Sequence, residues 1–367
     1  MYDIGRSRRA VKAYSFDEVA LVPSRRTRGI SEVNLSWRID AITLDFPLLA
    51  APMDSVMSPA TAIEMGRLGG LGVLNLEGLW TRYEDPEPIF AELVGIENQV
   101  AATRRMQQVY AEPVKPELIT QRMAEIRDAG VPVAGALSPN NTQQFADVVV
   151  QAAPDFFVIR GTTVSAEHVA TEGEPLDLKK FIRTLEVPVI VGGCATYQSA
   201  LHLMRTGAAG VLVGFGGGAQ HATREVLGIA VPMASAIADV AEARRDYLDE
   251  SGGRYVQVIA DGAVGRSGDI AKAIACGADA VMVAAPLARA TEAPGRGYHW
   301  GAEAWHPTLP RGERARFETI GSLAAIIHGP SVSPDGSMNL VGALRRAMAS
   351  TGYTDIKEFQ RIELVLT

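Results

Sequence analysis

Cysteine is nearly absent: Cys194 and Cys276 are the only two among 367 residues. Two thiols cannot build the disulfide framework of a small secreted domain, and such sparing use fits a reducing cytoplasm. Long apolar runs are missing too. No continuous apolar run free of charges reaches the roughly 18 residues a membrane helix needs, so no membrane span is expected. The basic segment Met1 to Phe16 lacks a continuous apolar core, and no signal peptide is expected. Positive charge is not in excess. A formal charge of −7 argues against nucleic acid or an anionic membrane as the main partner. The six histidines (168, 202, 221, 299, 306 and 328) are scattered, with no metal-ligand spacing. No Gly/Ser linker or low-complexity tract divides the chain, so residues 1–367 are expected to form a single domain.

What is present is a repeating unit. Hydrophobic residues make up 47% and charged ones 21%, enough for a large core. From Phe46-Pro-Leu-Leu-Ala-Ala-Pro52 onward, amphipathic helices end in glycine and lead into short buried strands. Joints of this kind lie at Leu68–Asn75, Ala129–Gly135, Thr206–Val213, Gly252–Asp261 and Cys276–Val283, with further strands at Phe156–Ile159 and Val187–Val191. Counting 46–51, that makes eight strands of continuous apolar character, which is the pattern of a parallel sheet covered on its faces. Eight βα units predict a (β/α)₈ TIM barrel. The competitor is a doubly wound open sheet, but no Gly-x-Gly-x-x-Gly follows the first strand. Two insertions interrupt the rhythm: 76–115, with a helix predicted over Glu87–Tyr110, and 286–339, rich in Pro, Gly, His and Trp and read as a lid or subunit contact. Arg6, Arg8 and Arg9, then Arg25, Arg26 and Arg28, read as a solvated or subunit-facing surface.

In such a barrel, chemistry sits at the C-terminal strand ends. The residues there are Met53-Asp54-Ser55, Asn75, Arg160-Gly-Thr-Thr163, Gly192-Gly-Cys-Ala-Thr196, the 214–224 loop, Asp261-Gly-Ala-Val-Gly-Arg-Ser267 and Ala284-Ala285. Asp261 needs a partner, either a ligand or a structural group. Arg160 either binds an anion or pairs with Asp261 or Glu167. His221 reads as a base, a ligand or a solvated loop residue. Cys276, at a helix end, reads as packing. Cys194 is the better candidate for a reactive thiol, although buried structural cysteine is the commoner case.

Phe16-Asp-Glu-Val-Ala-Leu-Val-Pro23, Ala51-Pro-Met-Asp-Ser-Val56, Gly69-Gly-Leu-Gly-Val-Leu-Asn75, Gly207-Ala-Ala-Gly-Val-Leu-Val-Gly-Phe-Gly216, Asp261-Gly262, Ser267-Gly-Asp269 and Ala275-Cys-Gly-Ala-Asp-Ala-Val-Met282 resemble the motifs of the IMP dehydrogenase/GMP reductase family. The likeness runs from about residue 14 to 295, and the short 76–115 segment stands where the family usually inserts a CBS pair. The chain is most similar to the short actinobacterial forms without CBS domains. The resemblance implies an NAD-dependent oxidoreductase of purine metabolism, with a monovalent cation, IMP, GMP or XMP as ligand, and a homotetramer. It further implies that Met53, Gly216, Gly217, Gly218, Asp261, Gly262 and Arg266 hold the nucleotide. Arg160, Gly192 and Gly193 face the cofactor, and His221 and Thr223 occupy the catalytic loop.

The departures are specific. The family loop reads Gly-Ile-Gly-Pro-Gly-Ser-x-Cys-Thr-Thr-Arg. Here Ala219 replaces the phosphate-binding serine, His221 the nucleophilic cysteine and Ala222 the first threonine. Ala51 replaces a serine, Arg160 an aspartate, Gly193 an asparagine and Ala284-Ala285 a Gly-Ser pair, and 296–320 shows no flap Arg-Tyr pair. Losing a covalent nucleophile removes several orders of magnitude in rate, and each lost phosphate hydroxyl about 1–3 kcal/mol of binding. Ordinary IMP oxidation is therefore not expected. Three readings follow: a family barrel kept for nucleotide binding or assembly, an oxidoreductase using Cys194 or His221, and a regulatory partner of a genuine IMP dehydrogenase.

Overall fold

Eight parallel strands close into a barrel in the computed structural model, which describes residues 2–167, 176–215, 223–308 and 312–367. The strands are β1 (Leu48–Ala50), β2 (Leu71–Asn75), β3 (Ala134–Leu137), β4 (Phe156–Arg160), β5 (Val189–Cys194), β6 (Gly210–Val213), β7 (Gln257–Asp261) and β8 (Ala280–Val283). Each pairs with its sequence neighbours, and β8 closes on β1 from Val281–Leu48 to Val283–Ala50. All eight expected strands are present. Their apolar side chains are buried because the barrel interior covers one face and the helical ring the other.

One strand is longer than its apolar run predicts. β5 continues past Val191 through Gly192, Gly193 and Cys194, because β6 approaches it too closely for side chains. A Cβ on Gly192 would meet Leu212 at 2.5 Å, and one on Gly193 the Gly214 carbonyl at 2.5 Å. The first insertion also differs from expectation. In place of one helix over 87–110 there are two, Glu87–Gly95 and Gln99–Val109. Asn98 starts the second by accepting a hydrogen bond from the Ala101 amide at 2.9 Å.

The two insertions meet beside the barrel mouth. Within 286–339, the short strands Tyr298–His299 and Ala315–Arg316 pair antiparallel. Arg314 donates to the carbonyls of Leu93 and Ile96, Arg296 reaches Glu87 at 2.6 Å, and Gln107 Nε2 donates to the His306 carbonyl at 3.1 Å. The later insertion is thus fixed to the earlier one as a wall.

At the opposite end of the barrel a buried carboxylate ties the C-terminal segment down. Asp279, fully buried, accepts from Arg244 Nη1 at 2.8 Å, the Val258 amide at 2.8 Å and the Tyr255 hydroxyl at 2.8 Å, and is also held by Lys357. Lys357 lies on the helix Ile356–Phe359, so the last helix is clamped under β7 and β8. Among the described residues, no helix is long and apolar enough to cross a membrane.

Candidate functional site

A cavity of about 860 Å³ opens at the C-terminal ends of β2, β3 and β4 and is closed on one side by the insertions. Strand-end residues Met53, Asn75, Arg160 and Thr162 line it, together with Tyr110 from the first insertion and Trp300, Glu303 and Trp305 from the second.

One lining residue, Arg160, is held in an ion pair with Asp261, which does not itself line the cavity. Arg160 ends β4 and Asp261 ends β7; the guanidinium donates Nε to Oδ2 at 2.8 Å and Nη2 to Oδ1 at 3.3 Å. Of the three partners open to Arg160 in the sequence, the structure selects Asp261. Burial pulls the guanidinium pKa down, but the Asp261 carboxylate, its hydrogen bonds and nearby Glu303 outweigh it and hold Arg160 above its ordinary value. The fork geometry suits arginine, since a lysine cannot span both carboxylate oxygens. Arg160 lines the cavity and brings its positive charge there. Glu303 is buried beside it and accepts from the Thr162 hydroxyl at 3.0 Å.

The second wall is a buried polar chain. Asp54 accepts from the Tyr110 hydroxyl at 2.7 Å, the Leu79 amide at 2.8 Å and Asn75 Nδ2 at 3.2 Å. Burial nonetheless lifts its pKa above the ordinary value, against those three donors. Tyr110 in turn accepts from Trp300 Nε1 at 2.9 Å, and its ring stacks on Trp305 with centroids 4.3 Å apart and planes 5° apart. Ser55 Oγ bonds the Trp300 amide at 3.1 Å and lies 2.9 Å from His299 Nδ1. One loop after β1 and both insertions are thereby locked together around the cavity.

The other expected site residues fall into three groups. Met53 and Thr223 line the cavity with Arg160, and Thr223 Oγ1 is buried with no hydrogen-bond partner among the described residues. Gly192 and Gly193 are buried in the β5–β6 contact, while Gly262 takes a φ of +119° that favours glycine and Arg266 is exposed at the start of the helix Ser267–Ala275. None of these four lines the cavity. Gly216, Gly217, Gly218 and His221 lie outside the described residues.

Cys194 does not sit as a reactive thiol should. It is fully buried in β5, its Sγ contacts the Leu212 carbonyl at 3.4 Å, and burial pushes its pKa up to about 12. At neutral pH such a group offers almost no thiolate. Native protein treated with iodoacetamide at neutral pH is expected to leave Cys194 unmodified until it is unfolded, as read by peptide mass mapping; rapid labelling in the folded state would contradict this burial. Among the described residues no three His, Cys, Asp or Glu side chains are grouped to hold a metal ion.

Comparison with known proteins settles the ancestry. The IMP dehydrogenase / GMP reductase domain model matches residues 13–366. The chain belongs to this family. It is 52% identical, over the full length of both chains, to an uncharacterised oxidoreductase of Mycolicibacterium smegmatis. It is 27% identical to the inosine-5′-monophosphate dehydrogenase of Thermoplasma acidophilum, over 95% of this chain and 90% of that one. The crystal structure of an IMP dehydrogenase/GMP reductase-like protein from Corynebacterium glutamicum superimposes with a TM-score of 0.95 at 49% identity, covering 100% of this chain and 97% of the other. This is an oxidoreductase-like family barrel without a CBS insertion.

Sequence reasoning missed Tyr110, Trp300, Glu303 and Trp305. The concentration of His and Trp in 286–339 was the available signal, but nothing local says which of them turn towards the barrel.

Proposed function

We propose that this barrel binds a purine mononucleotide (IMP, GMP or XMP) and does not carry out thiolate-dependent IMP oxidation. The observation that carries this is the Arg160–Asp261 pair. Each carboxylate oxygen retains acceptor capacity beside its guanidinium bond, so Asp261 keeps the ribose-hydroxyl role that the family likeness implies, while Arg160 brings positive charge to the cavity wall. Met53 and Thr223 complete the ligand surface, and the glycines 216–218 serve as the phosphate cradle that the family likeness implies.

The residues present do not fit a nicotinamide dinucleotide held in the family manner. The carboxylate that the likeness places at position 160 is a guanidinium, which donates hydrogen bonds but has no acceptor to offer a cofactor hydroxyl. Together with His221 at the nucleophile position, this removes both the covalent step and the cofactor contact. His221 is a poorer nucleophile than a thiolate at a purine carbon, and Cys194 supplies none. By the same likeness the chain assembles as a homotetramer.

Calorimetric titration with IMP, GMP, XMP and NAD tests the binding half of this reading. At least one mononucleotide is expected to bind at micromolar concentration, more tightly than NAD. No binding by any of the three would defeat it.

A further inference from the structure

Residues 2–10 form a hairpin that nothing among the described residues covers. Strands Tyr2–Gly5 and Arg8–Ala10 pair antiparallel, and all seven of their residues are exposed. Its apolar side chains stand in solvent: Tyr2 is 61% exposed, Ile4 71% and Val11 74%. An isolated two-stranded hairpin is marginal at best in water, so this one calls for a surface to lie on. It is also basic. Arg6, Arg8, Arg9 and Lys12 stand against the single Asp3, in a chain whose overall charge is −7.

The same chain carries a surface of matching character. Val226, Leu227 and Ile229 are exposed at 48%, 39% and 47%. They lead directly into the helix Met233–Glu250, whose exposed stripe carries Asp239, Glu242, Asp246 and Asp249 against the one exposed Arg245. Apolar side chains followed by acidic ones thus match the apolar and basic side chains of the hairpin, with Glu242 also paired to Arg245 and Asp246 accepting from the Tyr197 hydroxyl.

The hairpin's root is fixed beside that helix. The Tyr14 amide donates to Ser235 Oγ at 2.8 Å, and the Ser235 amide donates to the Tyr14 carbonyl at 3.2 Å. From that root it could fold back along its own helix, yet all seven strand residues remain exposed. The two surfaces differ from one another, so a contact repeated in one direction from copy to copy is head-to-tail, and such contacts form a ring where the rotation closes.

We propose that the N-terminal hairpin of each copy docks on the 226–249 surface of the next copy around the ring. Tyr2, Ile4 and Val11 cover Val226, Leu227 and Ile229, and Arg6, Arg8 and Arg9 face the acidic stripe. Single surface ion pairs are weak, so the apolar contact supplies the affinity and the charges set the partner and the register. The contact reaches the site, because Leu227 and Ile229 line the cavity. The neighbour's hairpin therefore forms part of the cavity's outer edge. This inference rests on the homotetramer reading above and specifies its interface.

Light scattering after size exclusion tests it on three proteins: the full chain, a variant lacking residues 2–11, and the double reversal Arg8→Glu/Arg9→Glu. The full chain is expected to elute at a multiple of 39.1 kDa. Both variants are expected to fall to a smaller assembly or a single chain while keeping the barrel's circular dichroism. Adding Asp239→Arg/Glu242→Arg to the double reversal is expected to restore the original mass. A deletion variant with unchanged mass would overturn the hairpin contact and leave the tetramer standing. A full chain that elutes as one 39.1 kDa protomer, whatever other partner the hairpin then takes, would overturn both.

Discussion

Replacing Arg160 by alanine is expected to weaken purine mononucleotide binding about ten- to hundredfold, the equivalent of one charge-assisted hydrogen bond at about 1.5–3 kcal/mol. Among the described residues that line the cavity the Arg160 guanidinium is the one Arg or Lys group; it lies near the buried Glu303 carboxylate and pairs with Asp261. Without it, a phosphate-bearing ligand would meet Asp54, Glu77 and Glu303 with no arginine or lysine among the described lining residues. Arg160→Lys is expected to recover only part of the loss, because an ammonium cannot fork across both oxygens of Asp261. Calorimetry on the two variants reads the effect, and thermal melts separate it from folding. Binding that is unchanged or tighter in Arg160→Ala would mean that the pair merely plugs the mouth and that Asp261 works better alone.

Asp279→Ala is expected to cost about 3–5 kcal/mol of folding stability, the range for leaving a buried partner unpaired. Asp279 and Arg244 are both buried, and the change strips partners from Arg244, Lys357, Tyr255 and the Val258 amide together. Burial pushes the Asp279 carboxyl up, but Arg244, Lys357 and the hydrogen bonds outweigh it, so its folded pKa lies below the ordinary 3.8. A depressed carboxylate contributes stability that is fully present above its unfolded pKa and is lost as pH falls through the folded one. The wild type should therefore hold this contribution at neutral pH and shed it only below about pH 3.8. Urea unfolding at neutral pH and in acid checks both points. A neutral-pH loss under 1 kcal/mol, as for an exposed pair, would refute the clamp.

The barrel was legible because its signal is local. Strands such as Phe156–Ile159 and Ala280–Val283 are unbroken apolar runs, and a barrel buries both of their faces. The end of β5 was less legible, since Gly192 and Gly193 carry no apolar signal and stay in the strand only because Leu212 and Gly214 press against them. Arg160 illustrates the limit more sharply. Its position at a strand end was readable, but the choice between Asp261 and Glu167 depends on which strand faces β4 across the mouth. Tyr110, Trp300 and Glu303 belong to insertions whose course is fixed by contacts between segments about 200 residues apart, such as Trp300 Nε1 with the Tyr110 hydroxyl. No periodicity in the sequence encodes such contacts.

The proposed loss of the family's oxidation from a barrel that still binds mononucleotide is open to one direct test. Reduction of NAD by the purified protein with saturating IMP, followed by absorbance beside an authentic IMP dehydrogenase, tests it most directly. No turnover above background is expected in a preparation that binds mononucleotide in the same buffer. Sustained NADH formation that requires IMP would contradict it.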